Sequence, residues 1–273
     1  MRVLLTNDDG IEAGGLQALR RALLALPDIE LAVVAPDGNR SATARSITTR
    51  RPLAVREVEF DDGTTGYATD GTPVDCVRLA QLGLIEGFEI ELVVSGINHG
   101  ANLGDDVTYS GTVAAAFEAI VLGLPGIAVS QHSPPGPCDF HTGEGFDFAQ
   151  TAAFAARIVE RLEDVRLASG TLLNVNAPSA PARGVRVARL GKRVYSDALR
   201  LLDDDHAGRR YEIYGEASAL EGETGTDLAA VGAGYIAVTP LHFDLTDVSG
   251  MDALARSDLS ALLQPAAREV EER

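Results

Sequence analysis

Short apolar runs alternate with helical patterns along the first two-thirds of the chain, and this alternation most constrains what it can fold into. Strand-like runs fall at residues 2–6, 31–35, 92–95, 127–130 and 172–175, with helix-period stretches at 15–26, 73–84, 112–122 and 144–162. Apolar strands of this length, interleaved with helices, specify βαβ units and a parallel sheet. Right-handed crossovers then place helices on both faces. The expected class is α/β, a doubly wound and mostly parallel sheet. Residues 53–60 and 64–69 flank Asp61-Asp62-Gly63 and read as an antiparallel hairpin. From about 185 the pattern turns β-rich, at 185–190, 209–214 and 235–239, and 251–263 reads as a last helix. The polar stretches 196–206 and 216–226 read as excursions, either an arm for a partner subunit or solvated loops. With no internal repeat and no low-complexity linker, one domain over 1–273 is expected, with 185–273 as a C-terminal β-rich extension.

The chain has 273 residues, 45% of them hydrophobic, enough for a substantial core. No apolar run is long enough to span a bilayer, and the first residues lack a charged-then-apolar leader pattern. A soluble cytoplasmic protein is the expectation. Cys76 and Cys138 form neither a disulfide framework nor a zinc motif. The net charge is −17, and Lys192 is the only lysine. Such acidity argues against bulk nucleic acid as a partner. It also requires that an anionic substrate be received by a metal, by backbone N–H groups or by a few arginines. A salt-rich cytoplasm, where ions screen self-repulsion, would suit this composition; ordinary acidity with an arginine preference is the alternative.

Four loops at the strand ends carry the chemistry. Asn7-Asp8-Asp9-Gly10 follows the first strand, where open α/β sheets bind ligands. Adjacent carboxylates are costly to hold ionised without a countercharge. A hard divalent cation supplies one through oxygen ligands, although Asp-Asp-Gly is also an ordinary turn. The second loop, 36–43, carries Ser41, and the third, 96–106, carries Asn98 and Asn102. Convergence of Asp8, Asp9, Ser41 and Asn98 would make an all-oxygen site suited to Mg²⁺ or Mn²⁺ rather than zinc. Ser110-Gly111-Thr112 opens the Ala-rich helix, where free N–H groups could cradle a phosphate; as a plain helix cap it would need no ligand.

Other groups fit these loops less well. His99 titrates near neutrality and is a candidate general acid, though a solvated loop histidine is the plainer reading. His132, Cys138 and His141 match no zinc spacing and read as part of a mobile loop beside the site. Asp75 should favour a helix N-terminus, with Cys76 in the core. Asp105-Asp106 reads as a turn, and the run of acids at 203–205 as a solvated face.

Taken together, Asn7-Asp8-Asp9-Gly10, Ala35-Pro36-Asp37 leading to Ser41, Gly71-Thr72-Pro73-Val74-Asp75-Cys76, Ser95-Gly96-Ile97-Asn98 and the run from Asn102 to Ser110-Gly111-Thr112-Val113 resemble the SurE survival-protein family. Residues 234–241 match its pattern too. The resemblance is dense to about residue 130 and thinner to about 245. It implies a Rossmann-like sheet with a C-terminal arm exchanged within a homodimer or homotetramer. It also implies a metal-dependent phosphatase of nucleoside 5′-monophosphates, some relatives accepting 3′-monophosphates and short polyphosphate. The family's metal ligands map onto Asp8, Asp9, Ser41 and Asn98. Ala44-Arg45 stands where relatives often have Gly-His, which bears on substrate preference.

The implied reaction is phosphomonoester hydrolysis, with one divalent ion polarising the phosphoryl group and activating water. Asp8 or Asp9 would take the proton, and Asn102, Ser110, Gly111 and Thr112 would face the phosphate. An aspartyl-phosphate mechanism is disfavoured, because the carboxylates are adjacent rather than spaced by one. A dinucleotide oxidoreductase is disfavoured because no G-x-G-x-x-G follows the first strand. A metal- and nucleotide-binding sensor that does no chemistry is the remaining alternative.

Overall fold

The computed structural model describes residues 1–165, 167–193, 199–205, 208–213, 220 and 222–263. In chain order the elements are β1 (Arg2–Thr6), α1 (Gly14–Leu24), β2 (Glu30–Pro36), β3 (Val55–Glu59), β4 (Thr65–Thr69), α2 (Pro73–Leu79), β5 (Leu92–His99), α3 (Gly111–Val121), β6 (Gly126–Gln131), α4 (Ala149–Glu160), α5 (Leu162–Val165), β7 (Thr171–Ala177), β8 (Val185–Val187), β9 (Arg200–Asp205), β10 (Gly208–Glu212), α6 (Asp227–Gly232), β11 (Ile236–His242) and α7 (Val248–Ala255). Residues Met1–His242 form one compact unit and Phe243–Arg273 a second, in which α7 is followed by a 3₁₀ turn, Leu259–Leu263. Among the described residues no helix is long and apolar enough to cross a membrane.

Nine strands form the main sheet in the order β3-β4-β2-β1-β5-β6-β7-β11-β8. Pairing is parallel except for β3 with β4 and β7 with β11. The chain winds outward from β1 in both directions, so the switch point lies between β1 and β5, where open α/β sheets place ligands. Side chains alternate across the strands, and the core divides accordingly. Val3, Leu5, Val33 and Val94 pack under α1 and α4 with Leu16, Leu19, Leu23 and Val159. Leu4, Val34 and Val93 pack on the other face under α2 and α3 with Cys76, Val77, Ala115 and Ala119. Each fully buried Leu or Val contributes about 1.5–3 kcal/mol of apolar burial.

The α2 helix begins with a capping box. The Thr72 hydroxyl accepts from the Asp75 N–H at 3.2 Å, and Asp75 Oδ2 accepts from the Thr72 N–H at 2.9 Å. Asp75 also accepts from the Thr48 N–H at 3.0 Å and the Thr48 hydroxyl at 2.7 Å, pinning residues 46–48 to the helix. Burial alone would raise the Asp75 pKa, but the bonds from Thr48 and Thr72 outweigh it and hold it below the usual carboxylate value. A depressed carboxylate stabilises the fold above its unfolded-state pKa, and that contribution fades as pH falls through the folded-state value. Asp75→Asn is therefore expected to cost about 1–2 kcal/mol at pH 7. The gap from wild type should narrow below about pH 4. Thermal unfolding of both proteins at pH 7 and pH 3 checks this; a gap unchanged with pH would remove the ionised carboxylate from the account.

Several expectations change. The helix expected at 73–84 ends as α2 at Leu79 and passes into a wide turn, Ala80–Leu84, in which Gly83 takes φ +97°. The strand expected at 92–95 runs on to His99 across a bulge after Ser95. The helical pattern at 144–162 begins only at Ala149, because Phe146 and Phe148 stack on one another and on His99. Within the excursion expected at 196–206, Arg200–Asp205 is a strand paired antiparallel with Gly208–Glu212, and Arg210 bonds Asp203 at 2.5 Å. Of the 216–226 excursion, residues 216–219 and 221 lie outside the described residues.

Candidate active site

The loop after β1 is clamped by its first residue. Asn7 Oδ1 accepts from the Gly10 N–H at 3.2 Å and Asn7 Nδ2 donates to the Gly10 carbonyl at 2.9 Å. This closed turn leaves Asp8 and Asp9 buried side by side at the switch point, 2% and 5% exposed. Asp8 faces the start of α3. Its Oδ1 accepts a very short hydrogen bond from the Thr112 hydroxyl, and N–H groups of Thr112 and Gly111 also act on the carboxylate. A Cβ on residue 111 would stand 2.8 Å from both Cβ and Oδ2 of Asp8, so glycine is required there for the helix to approach so closely.

Asp9 faces β5 and the loop after β2. Its Oδ2 accepts from the His99 N–H at 3.1 Å and its Oδ1 from Asn39 Nδ2 at 3.4 Å. The same loop is drawn in by the Arg40 N–H, which donates to the Asp8 carbonyl at 2.6 Å. Ser41 follows with an exposed side chain, its N–H bonded to Asn39 Oδ1 at 2.9 Å. The bulge after Ser95 brings Asn98 to the strand edge. Its amide nitrogen is fixed on the Gly100 carbonyl at 2.7 Å, which turns Oδ1 toward the Thr112 hydroxyl, 3.4 Å away.

The electrostatics of this cluster are one-sided. Burial pushes the Asp9 carboxyl up, and the charge of Asp8 adds to it, to about 8; the His99 N–H pulls the other way. Burial raises Asp8 as well, against the Thr112 hydroxyl and the N–H groups at the start of α3. Among the described residues no lysine or arginine is ion-paired with either carboxylate, and no cluster of three or more His, Cys, Asp or Glu stands ready for a metal. What converges is two carboxylates and an amide oxygen, with a serine on the adjoining loop. That donor set suits a hard divalent cation.

The other expected site residues lie differently. Ser110 caps α3, its oxygen accepting from the Val113 N–H at 3.1 Å. Thr112 is fully buried and spends its hydroxyl on Asp8, so it holds a carboxylate rather than facing a phosphate. The N–H group of Gly111 likewise serves Asp8. Asn102 is turned away into the sheet: Nδ2 donates to Ser130 Oγ at 2.8 Å, while Asn174 and Asn176 both donate to its carbonyl at 3.0 Å. It anchors the third loop. His99 is fixed on both ring nitrogens, Nε2 accepting from the Gly15 N–H at 3.0 Å and Nδ1 standing 3.0 Å from the Phe140 carbonyl. Burial lowers its pKa. A neutral ring with both nitrogens engaged is a clamp, and the general-acid expectation does not stand.

Asp106 pairs with Arg193 at 3.3 Å, consistent with a turn. Behind the site, Glu118 on α3 is 1% exposed between Arg45 Nη2 at 2.8 Å and Arg78 Nη2 at 2.6 Å, the latter off the hydrogen-bonding angle. Sequence reading missed Asn39, the clamp role of His99 and this arginine pair. Asn39 alone had a signal, its place two residues before Ser41.

A doubly wound sheet with an acidic, oxygen-lined cluster at its switch point defines the class: an α/β protein whose candidate site lies at the carboxyl edge of the sheet. The model of the family "Survival protein SurE" matches residues 3–197. The chain belongs to this SurE family. It is 50% identical over 273 residues to a protein of Rubrobacter xylanophilus named 5′-nucleotidase SurE, covering 96% of this chain and 99% of that one. A protein of the same name from Desulforudis audaxviator is 43% identical over 260 residues, covering 94% and 97%. The crystal structure of the SurE protein from Aquifex aeolicus superposes with a TM-score of 0.78 at 38% identity, covering 97% of this chain and all of that one.

Proposed function

We propose that this chain is a divalent-metal-dependent 5′-nucleotidase, hydrolysing nucleoside 5′-monophosphates to nucleoside and phosphate. One observation carries the reading: two adjacent carboxylates are buried at the switch point with no lysine or arginine among the described residues ion-paired to them, in a family whose relatives bear the nucleotidase name. Asp8, Asp9, Asn98 and Ser41 would hold one Mg²⁺ or Mn²⁺ ion. When bound, it supplies positive charge to the phosphoryl oxygens and acidifies water. The protein's own part is positioning. Thr112 and the start of α3 fix Asp8, His99 and Asn39 fix Asp9, and the positive end of α3 favours an anion beside Ser110. Asp8 or Asp9, ionised beside the cation, is the base assigned to the attacking water. We take the β-rich region from about 185 to serve as an arm between subunits of a cytoplasmic homodimer or homotetramer, with the whole chain one SurE-like domain.

Phosphate release from a panel of nucleoside monophosphates, with Mg²⁺ or Mn²⁺ and with chelator, tests the reading. Turnover should vanish with chelator and in Asp8→Asn. Release that survives chelation would remove the cation from the mechanism. No release with the ion bound would leave the sensor reading, which shares the same loops.

A further inference from the structure

Eight phenylalanines and six tyrosines make up all the aromatic side chains, and two of them stand exposed beside the acidic cluster. Phe140 is 47% exposed and Tyr109 63%. Phe140 lies over the third loop: a Cβ on Gly100 would be 3.6 Å from its ring and 3.8 Å from Asn98 Nδ2. Its carbonyl meets His99 Nδ1 at 3.0 Å, and that nitrogen is 4.0 Å from Asp9 Oδ1. One imidazole therefore separates the Phe140 backbone from the acidic pair.

The segment carrying Phe140 is held firmly. Asp139 Oδ1 accepts from the N–H groups of His141 at 2.7 Å and Thr142 at 3.4 Å. The Asp139 N–H donates to the Glu144 carbonyl and the Gly143 N–H to the Asp139 carbonyl, while the Gly14 N–H ties the Thr142 carbonyl to the start of α1. One edge of the ring packs against Phe146, with centroids 5.8 Å apart and planes at 76°. Its exposure is thus not that of a loose loop tip; it is an aromatic surface fixed in advance at the rim of a polar site. Rigid aromatic area fixed before binding serves affinity, since no ordering cost follows.

Resting on the nucleotidase reading, we propose that Phe140 is the base-stacking residue of the substrate site. The phosphate would sit at the Asp8–Asp9 cluster, the ribose would cross Asn98 and Gly100, and the base would lie on the ring of Phe140. Stacking accepts any base, because every base has a π-face, so Phe140 would separate nucleotides from small phosphomonoesters without strongly ranking the bases.

The test compares adenosine 5′-monophosphate with ribose 5-phosphate, which lacks the base, on wild type, Phe140→Leu, Phe140→Trp and Tyr109→Ala, reading KM and kcat separately. Phe140→Leu should raise KM for the nucleotide about tenfold, with a much smaller change for ribose 5-phosphate, and Phe140→Trp should restore it. Equal changes for both substrates, or none, would overturn the assignment. So would a base-dependent KM rise in Tyr109→Ala but not in Phe140→Leu, which would put the base on the Ser110 side. If wild type hydrolyses neither substrate, the nucleotidase reading fails instead.

Discussion

Asp9→Asn should lower kcat/KM on the order of 10³-fold, the scale of losing one electrostatic partner of the reacting group in a dry site. The same substitution should make the metal-free protein more stable. Asp9 is pushed up by burial first and by Asp8 second, so its charge works against the fold until a cation is bound. An amide of the same shape removes that cost. For a domain of this size each kcal/mol relieved shifts the midpoint by roughly 2–4 °C. Thermal unfolding in chelator, beside phosphate-release kinetics with Mn²⁺, reads both effects. Opposite signs for the two would establish that the site trades stability for function. A destabilised, inactive variant would mean that Asp9 is a structural hydrogen-bond acceptor, and the reading of the cluster would fall.

The second large effect lies behind the site. Glu118 on α3 is buried and ion-paired with Arg45 and Arg78, whose side chains are 31% and 45% exposed. Replacing both arginines by alanine leaves a buried carboxylate without its pairs, an arrangement that costs about 3–5 kcal/mol. Either single replacement should cost clearly less, since one guanidinium remains. Adding Glu118→Gln to the double variant should recover most of the loss by removing the stranded charge. Urea unfolding of these four variants and of wild type reads the pattern. A double variant within about 1 kcal/mol of wild type would show that Glu118 finds other solvation.

Much of this architecture was legible because period and chemistry agreed. The runs at 2–6, 31–35, 127–130 and 172–175 are buried on both faces and read as continuous apolar strands, as parallel sheets require. Asp61-Asp62-Gly63 marked the hairpin of β3 and β4. Elsewhere the two signals diverged. Leu201 and Leu202 precede three acids, and the acids made a paired strand look like a solvated excursion. Gly96 read as a stop, whereas the chain bulges there and carries on to His99. In the site, adjacency of Asp8 and Asp9 was visible, and so were the loops carrying Ser41 and Asn98. What sequence alone did not carry was which side chains point at one another. Thr112 looked like a phosphate ligand because a helix start offers N–H groups; the fold turns those groups on Asp8. His99 read as a solvated loop histidine, or else a general acid, because its neighbours are loop residues; the fold instead buries it and gives its two nitrogens to Gly15 and Phe140.

The place of β11 in the sheet has a consequence for synthesis. It pairs antiparallel with β7 along Ile236–His242, yet some sixty residues separate the two in the chain. While the ribosome is still making that interval, β7 is the bare margin of a growing parallel sheet, buried at all but its first residue in the finished molecule. An unpaired apolar strand edge invites pairing with other chains, and late closure of a distant pair prolongs its exposure. A nascent chain of this protein is therefore most vulnerable just before its last strand emerges, and a product truncated ahead of Ile236 would carry that vulnerability permanently.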